Sequence, residues 1–320
     1  MKLKVFFSIL VFMLSFHSYA RPIRIVVLNS DGLEVMRALK ADNMVVGISD
    51  VIAKEPSFWG KYAKYPVAGG WRDPDYEAIA KLRPDYVLSY VKSPGAEAED
   101  KFGRLGIKML RFDFYKISSF EREVTEFASV LGRQKEAAEL LSWWKPLYNR
   151  IKNDTSKVKE LPKVYIEGYG IFRSSGPGSG FHEMITLAGG KNIAGGASIP
   201  YLEVEPEWVY TQKPAYVVKM IPDRDCYGGG CGGRLKETYD EIKNRQGLRL
   251  LDSVKNGKIL ILTSDLGPGP RALLGVVEMA KRLHPELFKH LDPVALNTEY
   301  LRRFQGLKYS GVYVYPPVSR

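Results

Sequence analysis

The segment "YEAIAKLRPDYVLSY", Tyr76 to Tyr90, joins a short helical pattern to an apolar run through Pro84. Proline disfavours helix at the residue before it, and the Val- and Leu-rich run that follows is typical of a buried strand. A second unit of the same kind stands in "EWVYTQKPAYVVKM", Glu207 to Met220, where Pro214 lies 130 residues after Pro84. The sequence therefore contains an α/β repeat, and we expect one copy in each half of the fold.

Short apolar runs bounded by turn residues alternate with helical patterns such as "GLEVMRALKA" along the rest of the chain. The further runs are "IRIVVLN" (23–29), "MVVGIS" (44–49), "IKMLRFD" (107–113), "KVYIEGY" (163–169) and "KILILTS" (258–264). Strands that alternate with helices predict mostly parallel sheets covered on both faces. We therefore predict an α/β fold with two Rossmann-like lobes and a ligand cleft between them, since a chain of about 300 residues usually splits its core.

One long helical pattern separates the two halves. Residues 118–153, "SSFEREVTEFASVLGRQKEAAELLSWWKPLYNRIKN", have apolar residues at helical spacing, interrupted only by Gly132 and Pro146. We predict a single long helix that connects the lobes. The predicted organisation is then an N-terminal lobe over residues 21–117, the connecting helix over 118–153 and a C-terminal lobe over 154–320.

The first twenty residues have the features of an export signal. Lys2 and Lys4 precede the apolar run "VFFSILVFMLSF", and "HSYA" ends in Ala20 at a cleavable spacing. The run is too short to span a bilayer, and no cysteine near the cut suggests a lipid anchor. We expect a mature, monomeric protein that begins near Arg21 in the periplasm; the alternative is an uncleaved interfacial anchor.

Charge and motifs exclude several classes of function. The chain has 47 Lys and Arg against 36 Asp and Glu, a net charge of +11, but the basic residues are spread, which argues against nucleic-acid binding. No catalytic motif and no metal-site spacing is present. Cys226 and Cys231 in "DCYGGGCGG" most simply form a disulfide in an oxidising compartment; the alternative is half of a metal site. We therefore predict no catalytic residues, no bound metal and no cofactor.

Each copy of the repeat places acids at the start of a helix. Asp73 is predicted to cap the first helix, with Pro74 at its first position and Glu77 in its opening turn; Glu205, Pro206 and Glu207 repeat this arrangement. Taken singly, such acids are ordinary partners of the helix dipole. Their identical spacing in both copies favours a shared role.

Several longer stretches carry a resemblance that extends from Val45 to Phe288. They are "VVGISD", "YEAIAKLRPDYVL", "LGIKMLRFD", "ASVLGRQKEAAELL", "LAGGKNIAGG", "EPEWVYTQKPAYVV", "LLDSVKNGKILIL" and "AKRLHPELF". In their order and spacing they resemble the periplasmic solute-binding proteins of ABC importers for iron-siderophores, haem and cobalamin. That resemblance implies two lobes joined by one long helix. It also implies that Glu77 and Glu207 dock into arginine pockets of the two permease subunits.

The resemblance also implies ligand-binding positions. Cobalamin-binding members carry a tryptophan six residues before each docking glutamate, and Trp71 and Tyr201 stand at these positions. Asp265 in "SDLGPGPR" matches a cleft aspartate of such members, although the arginine that follows it there has no counterpart here. Siderophore-binding members use an arginine close to the position of Arg72.

Loops at the carboxyl ends of the strands are the expected ligand site of parallel α/β sheets. Further candidates on these loops are Tyr90, Phe172, Arg173, Tyr227, Arg271 and Arg224. Aromatic and guanidinium groups suit a flat, partly anionic ligand; the alternatives are core packing for the stacking aromatic residues and a solvated surface position for the arginines.

The predicted function is to capture a metal chelate, either a ferric siderophore, a corrinoid or haem, and to deliver it to an ABC permease dimer. An α/β enzyme or a ligand sensor built on the same fold is the alternative.

Overall fold

The computed structural model describes residues 21–223 and 225–317. The predicted signal segment, residues 1–20, and Arg224 lie outside the described residues. The first lobe is an α/β layer structure with the strands β1 (Ile25–Val27), β2 (Val45–Ile48), β3 (Tyr86–Ser89) and β4 (Lys108–Arg111). Its helices are α1 (Ser30–Ala38), α2 (Asp50–Ala53), α3 (Pro56–Trp59), α4 (Tyr76–Leu82) and α5 (Glu97–Arg104).

Two helices, not one, connect the lobes: α6 (Ile117–Leu131) and α7 (Gln134–Thr155). The prediction of one continuous helix over residues 118–153 is therefore corrected. Gly132 adopts a left-handed conformation with φ of 66°, and its N–H bonds to the carbonyl of Ala128, which ends α6. Pro146 lies inside α7 without ending it.

The second lobe repeats the α/β arrangement with more elements. Its strands are β5 (Lys163–Glu167), β6 (Arg173–Ser175), β7 (Lys191–Asn192), β8 (Tyr201–Glu203), β9 (Tyr216–Ile221), β10 (Ile259–Thr263) and β11 (Val314–Tyr315). Its helices are α8 (Gly180–Leu187), α9 (Pro206–Gln212), α10 (Gly232–Asn244), α11 (Asp252–Lys255), α12 (Ala272–Leu283), α13 (Pro285–Phe288) and α14 (Pro293–Tyr300), and a π-helical turn, Leu301–Gln305, follows.

The two main sheets share one topology. In the first lobe the parallel strands lie in the order β2-β1-β3-β4. The second sheet has the order β11-β10-β9-β5-β7, so that β7-β5-β9-β10 repeats the first sheet strand for strand, and only β11 is antiparallel. Every residue of β1 and of β10 is buried, as expected for strands covered on both faces. Strands β6 and β8 form a separate two-stranded antiparallel sheet.

A continuous apolar core includes residues of both lobes. Buried side chains of α1 in the first lobe, of α7 and of α12 in the second lobe belong to the same cluster. Helix α7 packs against α1 and against α12, and the turn after α14 packs on α1. The connection between the lobes is therefore a packed interface and not a flexible linker. Among the described residues, no helix combines the length and the apolar character needed to cross a bilayer.

Candidate functional site

The repeated helices α4 and α9 have the same length and the same type of C-terminal end. Helix α4 is capped by Asp75, which accepts a hydrogen bond of 2.9 Å from the backbone N–H of Ala78, and not by Asp73 as predicted. Asp75 is the capping residue because Pro74, just before it, forms an antiparallel β-bridge with Gly69 and is therefore not yet helical. Helix α9 begins at Pro206 after Glu205, as predicted. Both helices end in a left-handed residue that precedes the proline.

Glu77 and Glu207 occupy the second position of these two helices. Both side chains are exposed, and within the described part of the chain neither forms a hydrogen bond or an ion pair. Each helix leads into the strand that lies next to the first strand of its lobe, β3 or β9. The fold thus presents the two carboxylates at equivalent points of two equivalent lobes.

Three predicted ligand residues of the first lobe lie together. The guanidinium of Arg72 lies over the Trp71 ring at 4.2 Å from its centroid. Tyr90 packs edge-on against the same indole at 5.5 Å, and its hydroxyl donates to Asp31 Oδ2 at 2.7 Å. We call Trp71, Arg72 and Tyr90 the Trp71 platform. Its rings and its guanidinium can stack on and hydrogen-bond a ligand.

Tyr201 faces the first lobe from the second. It is 58% exposed, and partial burial together with the Asp113 carboxylate raises the pKa of its hydroxyl. Burial and the same Asp113 also raise the pKa of Tyr115, whose ring centroid lies 6.0 Å from that of Tyr90. Asp113 is buried and accepts a hydrogen bond of 2.9 Å from the N–H of Val91. Both phenols therefore remain protonated hydrogen-bond donors at neutral pH.

Asp265 and Arg271 are buried between the lobes. Arg271 is 5% exposed; its Nη2 lies 3.1 Å from Asp265 Oδ1, and its Nε lies 2.9 Å from Oε1 of Glu34 in the first lobe. Its guanidinium also lies 4.6 Å from the centroid of Phe58. Although burial opposes it, the carboxylates of Glu34 and Asp265 raise the pKa of Arg271. Arg271, which the sequence predicted to contact the ligand, therefore lies at the centre of an ion-pair network between the lobes.

This network surrounds a narrow interlobe space of about 310 Å³, open solvent included. Its lining residues come from α1, α3 and the loop before α12: Asp31, Glu34, Glu55, Phe58, Trp59, Ser264, Asp265 and Pro268 to Arg271. Gly269 allows the lobes to approach here, because a β-carbon on it would lie 3.0 Å from Asp31 Oδ1. Asp31, which lines this space, also accepts the hydrogen bond from Tyr90 of the Trp71 platform.

Phe172 and Arg173 do not join the Trp71 platform. Phe172 is half-buried beneath the guanidinium of Arg245, 5.5 Å from its ring centroid. Arg173 is exposed and pairs with Glu203 at 2.9 Å on the adjacent strand β8. Among the described residues, no hydrogen bond, ion pair or ring contact joins either side chain to the first lobe, so both positions stay predictions as ligand contacts.

A buried charge network fixes the loop after β5. Glu167 is fully buried and lies 2.9 Å from Lys219 and 2.7 Å from Arg245. Burial alone would raise the pKa of Glu167, but Lys219 and Arg245 outweigh it and lower the pKa. The ammonium of Lys219 also donates to the carbonyl of Gly168 at 2.7 Å, while Glu167 accepts from the N–H of Phe172 at 2.9 Å. The loop from 168 to 172 is thereby held at both ends.

The structure pairs Cys226 with Cys231 in a disulfide, with the two α-carbons 5.1 Å apart. Between them, Tyr227 packs edge-on against Phe58 of α3 at 6.1 Å. The loop that the disulfide closes therefore contacts the first lobe. Tyr227 contributes to the lobe interface and not to the Trp71 platform.

Several important residues were missed from the sequence, namely Glu34, Phe58, Asp113 and Tyr115. Glu34 carried a usable signal, because it is an acid between the apolar residues Leu33 and Val35 of α1. Asp113 and Tyr115 also carried a signal, because they stand at the carboxyl end of the predicted strand run 107–113. In the described part of the chain, no three His, Cys, Asp or Glu side chains stand close enough together to hold a metal ion.

Two similar lobes, a packed connection and a cleft lined by aromatic and charged side chains define a two-lobed ligand-binding protein. A family profile described as "Periplasmic binding protein" matches residues 25–266, and the chain belongs to this family. Its location is therefore on the outer side of the cytoplasmic membrane, as members of this family are.

Individual relatives are distant. The chain is 25% identical over 162 residues to the "High-affinity heme uptake system protein IsdE" of Staphylococcus aureus, which covers 50% of this chain and 55% of that protein. The chain thus spans about half the length of the curated relatives it matches. Two solved structures share the fold: the TroA-like periplasmic binding protein FepB from Veillonella parvula (TM-score 0.74, 21% identity, 92% of this chain and 95% of that chain) and the molybdate-bound MolA of Haemophilus influenzae (TM-score 0.75, 18% identity, 91% and 95%).

Proposed function

We propose that this protein captures a metal chelate outside the cytoplasmic membrane and delivers it to the permease of an ABC importer, without chemistry on the ligand. The observation that carries the proposal is the repeated placement of Glu77 and Glu207 on equivalent helices of two equivalent lobes. A transporter with two related subunits would contact both carboxylates at once. Membership of the periplasmic binding protein family supports this function.

The ligand class is proposed from the cleft. The Trp71 platform offers an indole, a phenol ring and a guanidinium on one surface, which suits a chelate with a flat or aromatic face. One relative is named for heme uptake and one structure holds molybdate, so the fold alone does not select the ligand. The choice among ferric siderophore, corrinoid and haem is left to a binding experiment.

That experiment is a titration of the mature protein with ferric siderophores, haemin and cobalamin, followed by tryptophan fluorescence and calorimetry. We expect one class to bind saturably and to quench the fluorescence. The quenching should be lost in Trp71→Phe and retained in Trp208→Phe, whose tryptophan lies on α9. Trp71→Ala should weaken binding about tenfold, since a stacked ring contributes about 0.5–1.5 kcal/mol beyond its buried area. Equal affinity in Trp71→Ala would contradict the proposed site.

Delivery to a permease is tested by charge reversal. The double variant Glu77→Arg with Glu207→Arg should bind the chelate normally but fail to support its uptake into cells. The matched control reverses two other exposed acids on helices, Asp100→Arg on α5 and Glu237→Arg on α10, and should support normal uptake. Normal uptake by the first variant would contradict docking to the permease through Glu77 and Glu207.

A further inference from the structure

The main sheet of the second lobe gathers lysines at the end where its parallel strands begin. Each of the four strands starts at or shortly after a lysine, namely Lys191 for β7, Lys163 for β5, Lys213 for β9 and Lys258 for β10. Because parallel strands all begin at the same end of a sheet, lysines that are spread along the sequence become neighbours in the fold. Together with Lys159, on the segment that leads into β5, we call these five residues the lysine cluster.

The strand register places the lysines side by side. Lys163 and Lys191 are directly paired residues of β5 and β7. The carbonyl of Lys163 accepts from the N–H of Ala215 at 2.8 Å, and the carbonyl of Lys258 accepts from the N–H of Val217 at 3.0 Å. Since neighbouring strands lie about 4.8 Å apart, the four strand starts span about 15 Å. The lysines therefore belong to one local surface.

The ammonium groups of this surface have no acidic partners. All five residues are exposed, and within residues 21–223 and 225–317 no carboxylate forms an ion pair with any of them. Lys163 donates to the carbonyl of Gln212 at 3.1 Å, and the ammonium of Lys258 lies 5.5 Å from the centroid of the Tyr216 ring. Neither contact supplies a compensating negative charge.

The acids on the same connecting segments do not cancel the charge of the lysine cluster. Asp154 pairs with Lys157 at 3.3 Å, and Asp252 pairs with Lys255 at 3.7 Å, so both serve lysines outside the cluster. Glu160 is exposed and forms no ion pair in the described part of the chain. The five lysines thus stand against a single unpaired carboxylate.

The corresponding end of the first sheet contains an acid at its centre. Asp85 directly follows Pro84, and its carboxylate lies 2.5 Å from the guanidinium of Arg21. In the second lobe the residue after Pro214 is Ala215. The repeated fold therefore does not require the unbalanced charge, which is particular to the second lobe.

The type of residue indicates the kind of partner. Lysine carries a compact charge on a flexible stem, whereas proteins that bind single-stranded nucleic acids add aromatic rings on which bases stack. The one ring beside the cluster, Tyr216, is half-buried beneath Lys258. Anionic phospholipid headgroups form a fluid layer of phosphates that needs no fixed geometry, and each lysine close to such a layer adds about fivefold to the affinity.

We propose that the lysine cluster holds this protein against the anionic phospholipid headgroups of a membrane surface. Members of its family lie on the outer side of the cytoplasmic membrane, so such a surface is within reach. The proposal goes beyond the proposed function and does not depend on the identity of the ligand.

Contact with lipid through the lysine cluster leaves the candidate site accessible. The cluster lies where the strands begin, whereas the site is built from loops where strands end. Glu207 lies in the first turn of α9, and Lys213 directly follows the last residue of that helix. Attraction to lipid therefore concentrates the protein at the membrane without covering the residues proposed for capture and docking.

The proposal is tested by sedimentation of the chain from Arg21 onwards with lipid vesicles, which leaves out the apolar segment 1–20. We expect binding to vesicles of phosphatidylglycerol and phosphatidylcholine, and none to vesicles of phosphatidylcholine alone. Binding should weaken as salt is added, because salt screens exposed charges. Equal binding to both vesicles, or binding that salt does not change, would overturn the proposal.

A triple variant locates the binding surface. Lys159→Gln, Lys191→Gln and Lys213→Gln combined should bind the phosphatidylglycerol vesicles about a hundredfold more weakly, since three charges are removed from the cluster. None of these three side chains forms a hydrogen bond or an ion pair in the described structure, so the variant should fold normally. Its circular dichroism spectrum and thermal unfolding check this.

The matched control removes the same number of charges elsewhere. Lys64→Gln, Lys135→Gln and Lys308→Gln combined replace exposed lysines that also lack ion pairs among the described residues, and this variant should bind the vesicles nearly as well as the unchanged protein. Equal weakening in both triple variants would show that net charge alone is responsible and would overturn the proposal. Binding to a single-stranded DNA without binding to the vesicles would assign the cluster to nucleic acid and overturn it as well.

Discussion

At the scale of single residues, Arg271 shows that burial can give a charged side chain a structural role in place of a ligand-binding one. The sequence offered it as a ligand contact, whereas the structure places it between Glu34 and Asp265, with 5% of its surface exposed. A buried ion pair gains little over an apolar replacement, but removing one partner leaves the others charged and unpaired. Arg271 therefore matters for stability and for the relation between the lobes.

Arg271→Met should lower the free energy of unfolding by about 3–5 kcal/mol, because Glu34 and Asp265 would remain buried without their cation. The matched control is Arg173→Met, which breaks an ion pair with Glu203 whose side chains are 67% and 76% exposed. That change should cost about 0–1 kcal/mol. Urea unfolding followed by circular dichroism measures both, and similar losses in the two variants would contradict the assignment.

Glu167 should make the free energy of unfolding depend on pH. Its pKa is lowered in the folded state, so its contribution is present above the unfolded value of about 4.3 and is lost as pH falls through the folded value. At neutral pH, Glu167→Gln should be less stable than the unchanged protein, and this difference should shrink as pH falls below about 4. Urea unfolding over a pH series is the measurement.

The control for this series is Glu203→Gln, whose side chain is 76% exposed beside Arg173. It should differ little from the unchanged protein at any pH, because an exposed pair contributes about 0–1 kcal/mol. A pH-independent deficit in Glu167→Gln would show that the network acts through packing and not through its charge.

The sequence predicts some site residues better than others, for a physical reason. Trp71 could be found because it lies at a fixed distance from a repeated glutamate on a polar loop. The partners of Tyr115 and Glu34 could not, since Tyr90 and Arg271 lie far from them in the chain. Local pattern determines which element a residue occupies, whereas contact across the cleft is decided by tertiary packing.

At the scale of elements, the repeated helix-to-strand unit was predictable and the connecting helix was not. Proline after a short helix determines where α4 and α9 end, and the structure agrees in both copies. Glycine is ambiguous, because it is tolerated within a helix at a cost of about 1 kcal/mol and is also the preferred residue just after one. At Gly132 the second role prevails.

The break at Gly132 can be tested with alanine. Gly132→Ala should lower the free energy of unfolding by about 1 kcal/mol, because alanine at φ of 66° is strained although its β-carbon meets no atom within 4 Å. Gly95→Ala is the control, since that site is equally open and its φ is not positive. It should be neutral or slightly stabilising. Thermal unfolding compares the two, and a loss confined to Gly95→Ala would contradict the argument.

At the scale of the whole molecule, the twofold repeat of the sheets follows from the repeat in the sequence. The elements that unite the lobes do not. The C-terminal turn, Leu301–Gln305, packs on α1 of the first lobe, and Gln305 Nε2 donates to the carbonyl of Glu34 at 3.1 Å. Tyr300 donates to the carboxylate of the same glutamate at 2.9 Å. The residues in these contacts are more than 260 positions apart in the chain. Local sequence patterns therefore could not predict the contacts.

The same contacts predict a small lobe motion on ligand binding. A wide hinge opening would have to separate the buried Glu34–Arg271 pair and pull the C-terminal turn from α1, exposing charges and apolar surface that nothing else would cover. Small-angle scattering profiles of the unchanged protein with and without the proposed chelate should therefore nearly superimpose. In Glu34→Gln, which weakens the pair, the profile without ligand should show a broader distribution of interatomic distances than that of the unchanged protein. A marked compaction of the unchanged protein on binding would mean that the interlobe network breaks and reforms when the ligand binds.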